Sequence, residues 1–85
     1  MKKVVIRLHG TLCTGSSVCE VEVLVPEGEG LASIVRKVLR DHLGGRSVDN
    51  VLESLMFMVG EDVVYEDYVP KEGEVVDVYP LSFGG

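Results

Sequence analysis

Apolar and polar residues alternate along several short stretches of the chain, and a period of two predicts β-strands. The first stretch is Lys3–Leu8 and the second is Val18–Val25, and each places a row of apolar side chains on one face. Between them, Gly10–Ser17 is rich in Gly, Thr and Ser, which favour turns. The two strands are therefore expected to form a hairpin.

The apolar period changes to that of a helix after a break at Pro26–Gly30. From Leu31 to Leu43, apolar residues recur every three or four positions, which predicts one amphipathic helix with a buried face. Gly44-Gly45 is expected to end this helix, and Ser47–Ser54 to begin another short one. The buried face is expected to carry Leu31, Ile34, Val35, Val38, Leu39 and His42.

The second half of the chain predicts three further strands, at Leu55–Val59, Val63–Tyr65 and Val75–Tyr79. Gly60-Glu61-Asp62 is expected to be a turn and Glu66–Lys71 irregular, and Pro80 closes the last strand because proline donates no ladder hydrogen bond. This order predicts an α+β roll, a mixed sheet of four to five strands with one main helix packed on one face. The first and last strands are expected to lie parallel at its centre. The expected core is Val4, Ile6, Val21, Val23, Ile34, Val38, Val76 and Val78.

The other face of this sheet is left without a cover. Tyr79, Leu81 and Phe83 alternate with core-facing valines, so they are expected on this open face together with Val5. An exposed apolar patch usually marks a binding surface, and we interpret these residues as partner-binding. The alternative is that they fold back onto the domain.

The charge of the chain narrows the classes of partner. The chain has 85 residues, 46% hydrophobic and 26% charged, as expected for one small globular domain, and its net charge is −6. Residues 1–46 carry seven basic and five acidic groups, whereas residues 47–85 carry nine acidic groups against Lys71 alone. This excess disfavours nucleic acid and favours a basic partner surface, unless the acids are simply solvated. Glu61, Asp62, Glu74 and Asp77 are expected around the apolar patch as partner-binding charges that stay solvated at the rim of the interface.

Membrane and thiol chemistry are not expected. No stretch approaches the roughly 18 apolar residues that span a bilayer, and Met1-Lys2-Lys3 runs directly into a strand, so we expect a cytoplasmic protein without a membrane partner. Cys13 and Cys19 are expected to be free thiols, because a bridge over so short a loop would stabilise little.

Two other motifs are weak. Gly10–Ser17 nearly fits a phosphate-binding loop, but Ser16 stands where the lysine is needed and a strand follows instead of a helix. His9 and His42 have no partners at metal-ligand spacing, so no metal site is expected.

The last residues of the chain are Phe83-Gly84-Gly85. Because glycine has no Cβ, two in succession form a thin, freely rotating segment that can enter a narrow active site on another protein. The domain is expected to span residues 1–81 and a flexible tail residues 82–85. The alternative is a frayed end or a cloning remnant.

Together these elements resemble the β-grasp, ubiquitin-like sulfur carriers, specifically the small subunit of molybdopterin synthase and its relative in thiamine biosynthesis. The resemblance is closest over Leu55–Gly85, and departs from the molybdopterin subunit at Leu81, where a second proline is common, and at Ser82-Phe83. The long Arg40–Leu55 connection points back to that subunit, because the thiamine carriers are usually shorter there. The residues that carry the resemblance are the turns at Gly60-Glu61-Asp62 and Gly73-Glu74-Val75, then Pro80 and the terminal Gly84-Gly85.

The resemblance implies a sulfur carrier that other enzymes act on, and not an autonomous enzyme. A partner adenylating enzyme would use ATP to activate the Gly85 carboxylate, and a persulfide sulfur would then displace AMP to give a thiocarboxylate. This group would donate sulfur to a cofactor precursor on the large subunit of a synthase, most closely in molybdopterin biosynthesis. Gly84 would give the tail clearance in the partner's tunnel, and the chain itself would bind no cofactor.

Two other functions stay open within the same fold. A ubiquitin-like modifier would be joined through Gly85 to lysines of target proteins, as archaeal ubiquitin-like modifiers are. A noncovalent binding module would never use its C-terminus. An autonomous enzyme is disfavoured because no acid, base and nucleophile converge in the sequence.

Overall fold

The structure is a computed structural model and describes residues 1–13, 18–43 and 52–81. Within these residues it contains five strands, one α-helix and a short 3₁₀ turn at Gly10–Leu12. The regular elements are β1 (Lys2–His9), β2 (Val18–Val25), α1 (Leu31–Leu43), β3 (Leu55–Val59), β4 (Asp62–Val64) and β5 (Val75–Pro80).

The five strands form one mixed sheet in the order β2-β1-β5-β3-β4. β1 and β2 pair antiparallel over their whole lengths, from Lys2 opposite Val25 to His9 opposite Val18. β1 and β5 pair in parallel at the centre, and β3 joins β5 antiparallel. The predicted mixed sheet with a central parallel pair is therefore confirmed.

Helix α1 covers one face of the sheet because its apolar stripe and the inward residues of the strands bury each other. Val4, Ile6 and Leu8 of β1 are fully buried, as are Val76 and Val78 of β5. Most of the predicted core is confirmed. Val21 and Val23 are only half-buried, because β2 lies at the edge of the sheet.

The helix bounds agree with the sequence pattern, but its last turn does not follow the apolar stripe. Leu31, Ile34 and Leu39 are buried, whereas His42 is exposed, so the expectation that His42 belongs to the buried face is wrong. The last turn of a helix is easily solvated, so an imidazole there can face water. The predicted stop at Gly44-Gly45 and most of the predicted helix at Ser47–Ser54 lie outside the described residues.

The strand bounds differ from the prediction by one residue at several ends. β1 extends to Lys2 and His9, β4 already ends at Val64, and β5 includes Pro80, which was expected to close it. β4 begins at Asp62, one residue earlier than predicted, because Asp62 already pairs with Val59 across the tight turn at Gly60. Gly60 has a positive φ of 61°, which suits glycine in this turn.

The expectation of free thiols is wrong, because Cys13 and Cys19 form a disulfide with a Cα–Cα separation of 5.5 Å. Cys13 follows the 3₁₀ turn and is buried in the core cluster. Cys19 pairs with Leu8 in the hairpin register and packs against the same cluster. The 3₁₀ turn, absent from the sequence prediction, brings the first cysteine back over the sheet.

Candidate partner-binding site at the end of the last strand

The candidate site lies on the open face of the sheet, at the end of β5. In β5, Val76 and Val78 point into the core, so Asp77 and Tyr79 point to the open face. The backbone N–H of Leu81 donates to the carbonyl of Ser54 at 2.7 Å, which continues the pairing with the β3 side beyond Pro80. The last described residue is therefore fixed to the sheet.

A charged pair crosses the two central strands. Arg7 lies directly opposite Asp77 in the parallel register. Its Nε donates to Asp77 Oδ1 at 2.8 Å and its Nη2 donates to Oδ2 at 3.1 Å, a bidentate geometry. The Nε2 of His9 lies 2.8 Å from the same Oδ1, and because an ionised carboxylate only accepts, His9 is the donor.

This network sets the charge state of Asp77. Burial alone would raise the pKa of the Asp77 carboxyl, but the hydrogen bonds from Arg7 and His9 outweigh burial and hold the pKa below its usual value. The expectation that Asp77 is a solvated rim charge is wrong, because the residue is only 7% exposed. Asp77 holds the side chains of Arg7 and His9 in place and is not one of the exposed charges of the site.

The imidazole of His9 also shapes the apolar part of the site. It stacks on the ring of Tyr79, with centroids 4.2 Å apart and an interplanar angle of 14°. The hydrogen bond to Asp77 on one side and the stack on the other hold both rings in place. Tyr79 is half-buried for this reason.

The stacked rings form one wall of a shallow, mostly apolar hollow of about 340 Å³. A second hollow of about 300 Å³ is lined mainly by residues of β3 and β4, including Phe57 and Val64. Leu81 lines both hollows and is 55% exposed. The first hollow is lined by His9, Gly10, Met56, Tyr79, Pro80 and Leu81.

Gly10 lies close to Pro80, the last residue of β5. Its φ is +60°, and a Cβ at this position would lie 3.4 Å from Cγ of Pro80. A glycine is favoured here because the backbone is left-handed, and the ring of Pro80 lies at van der Waals distance from the position of a Cβ.

The predicted site residues do not form one patch. Tyr79 and Leu81 meet at the hollow, and Val5 is half-buried on the same open face. Glu61 and Asp62 are exposed at the turn between β3 and β4, at the opposite end of the sheet from Leu81. Phe83, Gly84 and Gly85 lie outside the described residues.

Glu74 also lies at that opposite end, just before β5. Its Oε1 accepts from the hydroxyl of Tyr68 at 2.6 Å and from the backbone N–H of Lys71 at 3.0 Å. The hydrogen bond to Glu74, with burial, raises the pKa of Tyr68 to about 12. Glu74 thus closes the turn before β5.

The sequence interpretation missed Arg7, His9 and Met56. Arg7 and His9 share a strand face with Val5, and Met56 lies opposite Tyr79. The alternation in β1 already placed Arg7 and His9 on the open face. Their convergence on Asp77 depends on the parallel register, which the pattern of one strand does not contain.

Two further findings concern the described part of the chain. Among residues 1–13, 18–43 and 52–81, no three His, Cys, Asp or Glu side chains are grouped so that they could hold a metal ion. In the same residues, no helix is both long and apolar enough to cross a membrane.

The fold defined by this sheet and helix is the β-grasp fold. A solved structure with the same fold is a putative molybdopterin converting factor, subunit 1, from Pyrococcus furiosus. The likeness covers 94% of this chain and 98% of that one, with a TM-score of 0.68 and 19% sequence identity. No family model and no curated protein matches the chain.

Proposed function

We propose that this chain is a sulfur carrier that works in molybdopterin biosynthesis and reacts through the carboxylate of Gly85. An adenylating partner enzyme activates this carboxylate with ATP, and a synthase large subunit receives the sulfur. The observation that carries the proposal is the position of β5, a central strand whose end lies beside an apolar hollow and leads directly to Phe83-Gly84-Gly85.

The fold supports this proposal because it fixes the position of the residues that precede the tail. β5 is held on both sides, by β1 and β3, and Leu81 is bonded to Ser54. The root of the tail therefore keeps one position relative to the open face. A partner that docks on this face would receive Gly85 at a defined place, which removes part of the entropic cost of positioning the reacting group.

The proposed chemistry needs no catalytic group on this chain. The Gly85 carboxylate attacks the α-phosphorus of ATP, forming an acyl–phosphate bond and releasing pyrophosphate. A persulfide sulfur on a partner then replaces AMP at the acyl carbon, and a thiol cleaves the resulting S–S bond to leave the thiocarboxylate. The solved structure with the same fold is a putative molybdopterin converting factor subunit, which supports molybdopterin biosynthesis as the pathway that receives the sulfur.

The hollow beside Leu81 suits a partner's apolar side chain. Its lining combines Met56, Pro80 and Leu81 with the face of the His9–Tyr79 stack. Met adapts its shape to a bound group at low cost, and aromatic rings add contact area with little loss of entropy. Glu61, Asp62 and Glu74 lie away from this hollow and would steer the partner's approach.

The experiment is an activation assay with the adenylating enzyme from the same cells. Pyrophosphate release from ATP should depend on the full chain and disappear with a variant that lacks Gly85. Release that is equal with both chains would overturn the proposal and favour a noncovalent binding module. A variant that lacks Met1, which precedes β1 at the opposite end of the sheet from Leu81, is the matched control and should behave as the full chain does.

A further inference from the structure

We propose that the outer edge of β2 is a second binding site, which takes an extended segment of another protein with alternating apolar and basic residues. β2 is the last strand of the sheet, and no described strand lies beyond it. The site does not involve Gly85 or the hollow beside Leu81. It can therefore fail or succeed independently of the proposed sulfur chemistry.

The register shows which backbone groups of β2 face outward. Val5 of β1 donates its N–H to the carbonyl of Glu74 at 3.0 Å, toward the β5 side. Successive residues of a strand direct their backbone N–H and C=O groups to opposite sides. The even-numbered residues of β1 therefore bond to β2, and Ile6, for example, lies opposite Val21. The intervening residues of β2 direct N–H and C=O away from the sheet: Glu20, Glu22 and Leu24.

The strand is unusually suitable as a template. Its eight residues pair one to one with β1 without a bulge, and the first proline, Pro26, comes only after its end. Bulges and prolines are the usual devices that prevent an edge strand from accepting another strand. A partner strand can therefore form a regular antiparallel ladder with the outward groups.

The side chains of β2 specify the partner's sequence pattern. Glu20 and Glu22 are exposed on the open face, and the outward backbone groups belong to the same two residues. Lys or Arg directly opposite them would form favourable cross-strand pairs. On the helix side, Val21 and Val23 are half-buried and would be covered by apolar side chains.

The same charges disfavour a second copy of this chain. The two twofold pairings that use most of the strand bring like charges together: one centred on Val21 places Glu20 opposite Glu22 twice, and one centred on Glu22 places that carboxylate opposite itself. Like charges directly opposite each other destabilise an antiparallel pair. The proposed occupant is therefore a different chain with the complementary charge.

The test uses the full chain, isotope-labelled, and a blocked seven-residue peptide that alternates valine and lysine. Titration should give saturable shifts of backbone amide signals in β2, centred on Glu20, Glu22 and Leu24. One control peptide carries glutamate for lysine, and another is N-methylated at its lysines, so that it cannot donate to β2. Both controls should bind at least about tenfold more weakly, because each removes attraction or ladder hydrogen bonds.

Two variants localise the effect. Leu24→Pro removes one outward N–H without touching the β1 ladder and should weaken peptide binding about three- to tenfold. Glu22→Lys should weaken it to a similar degree, while Glu61→Lys, at the opposite edge of the sheet, should not. Thermal unfolding confirms that each variant is folded before its affinity is compared.

Three outcomes would overturn the proposal. The first is equal binding of the N-methylated peptide, which would mean charge attraction without a ladder. The second is a set of shifts centred on the hollow beside Leu81 instead of β2. The third is a dimer in sedimentation that Leu24→Pro dissolves, which would make a second copy the occupant.

Discussion

The guanidinium of Arg7 holds the carboxylate of Asp77 through two hydrogen bonds across the parallel central strands. Because the carboxylate is nearly buried while the side chain of Arg7 is 40% exposed, the pair belongs to the fold, with partial solvent screening. The same carboxylate accepts from His9, which stacks on Tyr79. The shape of the hollow therefore depends on a charge inside the sheet.

Asp77→Asn should lower the free energy of unfolding by about 1–2 kcal/mol at neutral pH, because the charge-assisted bonds become neutral ones. Urea unfolding measures this directly. Glu72→Gln, which neutralises an exposed acid that accepts from the backbone N–H of Lys3, is the matched control and should change the stability by less than about 0.5 kcal/mol. Equal effects of the two variants would contradict the role given to Asp77.

The pH dependence of stability follows from the same group. The pKa of Asp77 in the folded chain lies below its ordinary value of 3.8, so its contribution is complete above that value and is lost as the pH falls through the lower, folded pKa. The unfolding free energy should therefore decline below about pH 4, and less steeply in Asp77→Asn. If the unfolding free energy falls equally with pH in the native chain and in Asp77→Asn, Asp77 is not the cause of the decline.

The disulfide should add about 2 kcal/mol to stability, since it closes only a short loop of the unfolded chain. The comparison is between the oxidised protein and the Cys13→Ser, Cys19→Ser double variant in urea unfolding. The reduced native protein should match the double variant. Titration of two reactive thiols in protein purified without reductant would contradict the pairing.

Leu81→Ala should weaken binding to the adenylating partner by about tenfold, or 1.4 kcal/mol, without lowering the stability of the domain. Leu81 is 55% exposed and lines both apolar hollows, so a partner can bury it. Val69→Ala, an exposed apolar change outside both hollows, is the control. A lower melting temperature with unchanged affinity would place Leu81 in the fold instead of the interface.

Phe83→Ala is predicted to weaken binding to the adenylating partner by at least about tenfold, without lowering the stability of the domain. The sequence places it two residues beyond Leu81, where the alternation of β5 predicts the open face. Calorimetric titration of the partner, with thermal unfolding of the variant, separates the two effects. Unchanged affinity would remove Phe83 from the proposed interface.

The strands and the helix could be predicted because their burial follows local periods. Val4, Ile6 and Leu8 on one face of β1, and Leu31, Ile34 and Leu39 on one face of α1, are visible in the chain itself. The site could be predicted only in part. Tyr79 and Leu81 follow from the alternation, but Asp77 appears as another acid in an acidic half until the register places it opposite Arg7.

The prediction that Cys13 and Cys19 are free thiols was wrong for a similar reason. The prediction judged the bridge by its small effect on an unfolded loop, whereas the structure brings the two residues together through the 3₁₀ turn after β1. The contact between Arg7 and Asp77 depends on the pairing of distant strands, and the disulfide depends on the geometry of a local turn. The periodic pattern of apolar residues predicts neither.

The central claim is that Gly85 carries transferable sulfur, and intact-mass measurement of the protein purified from its native cells tests it most directly. The predicted result is a population heavier by one oxygen-to-sulfur exchange, with fragmentation placing the sulfur on Gly85 and an alkylating reagent adding its alkyl group to this population alone. A protein found only as the free carboxylate, or joined through Gly85 to lysines of other chains, would contradict the account.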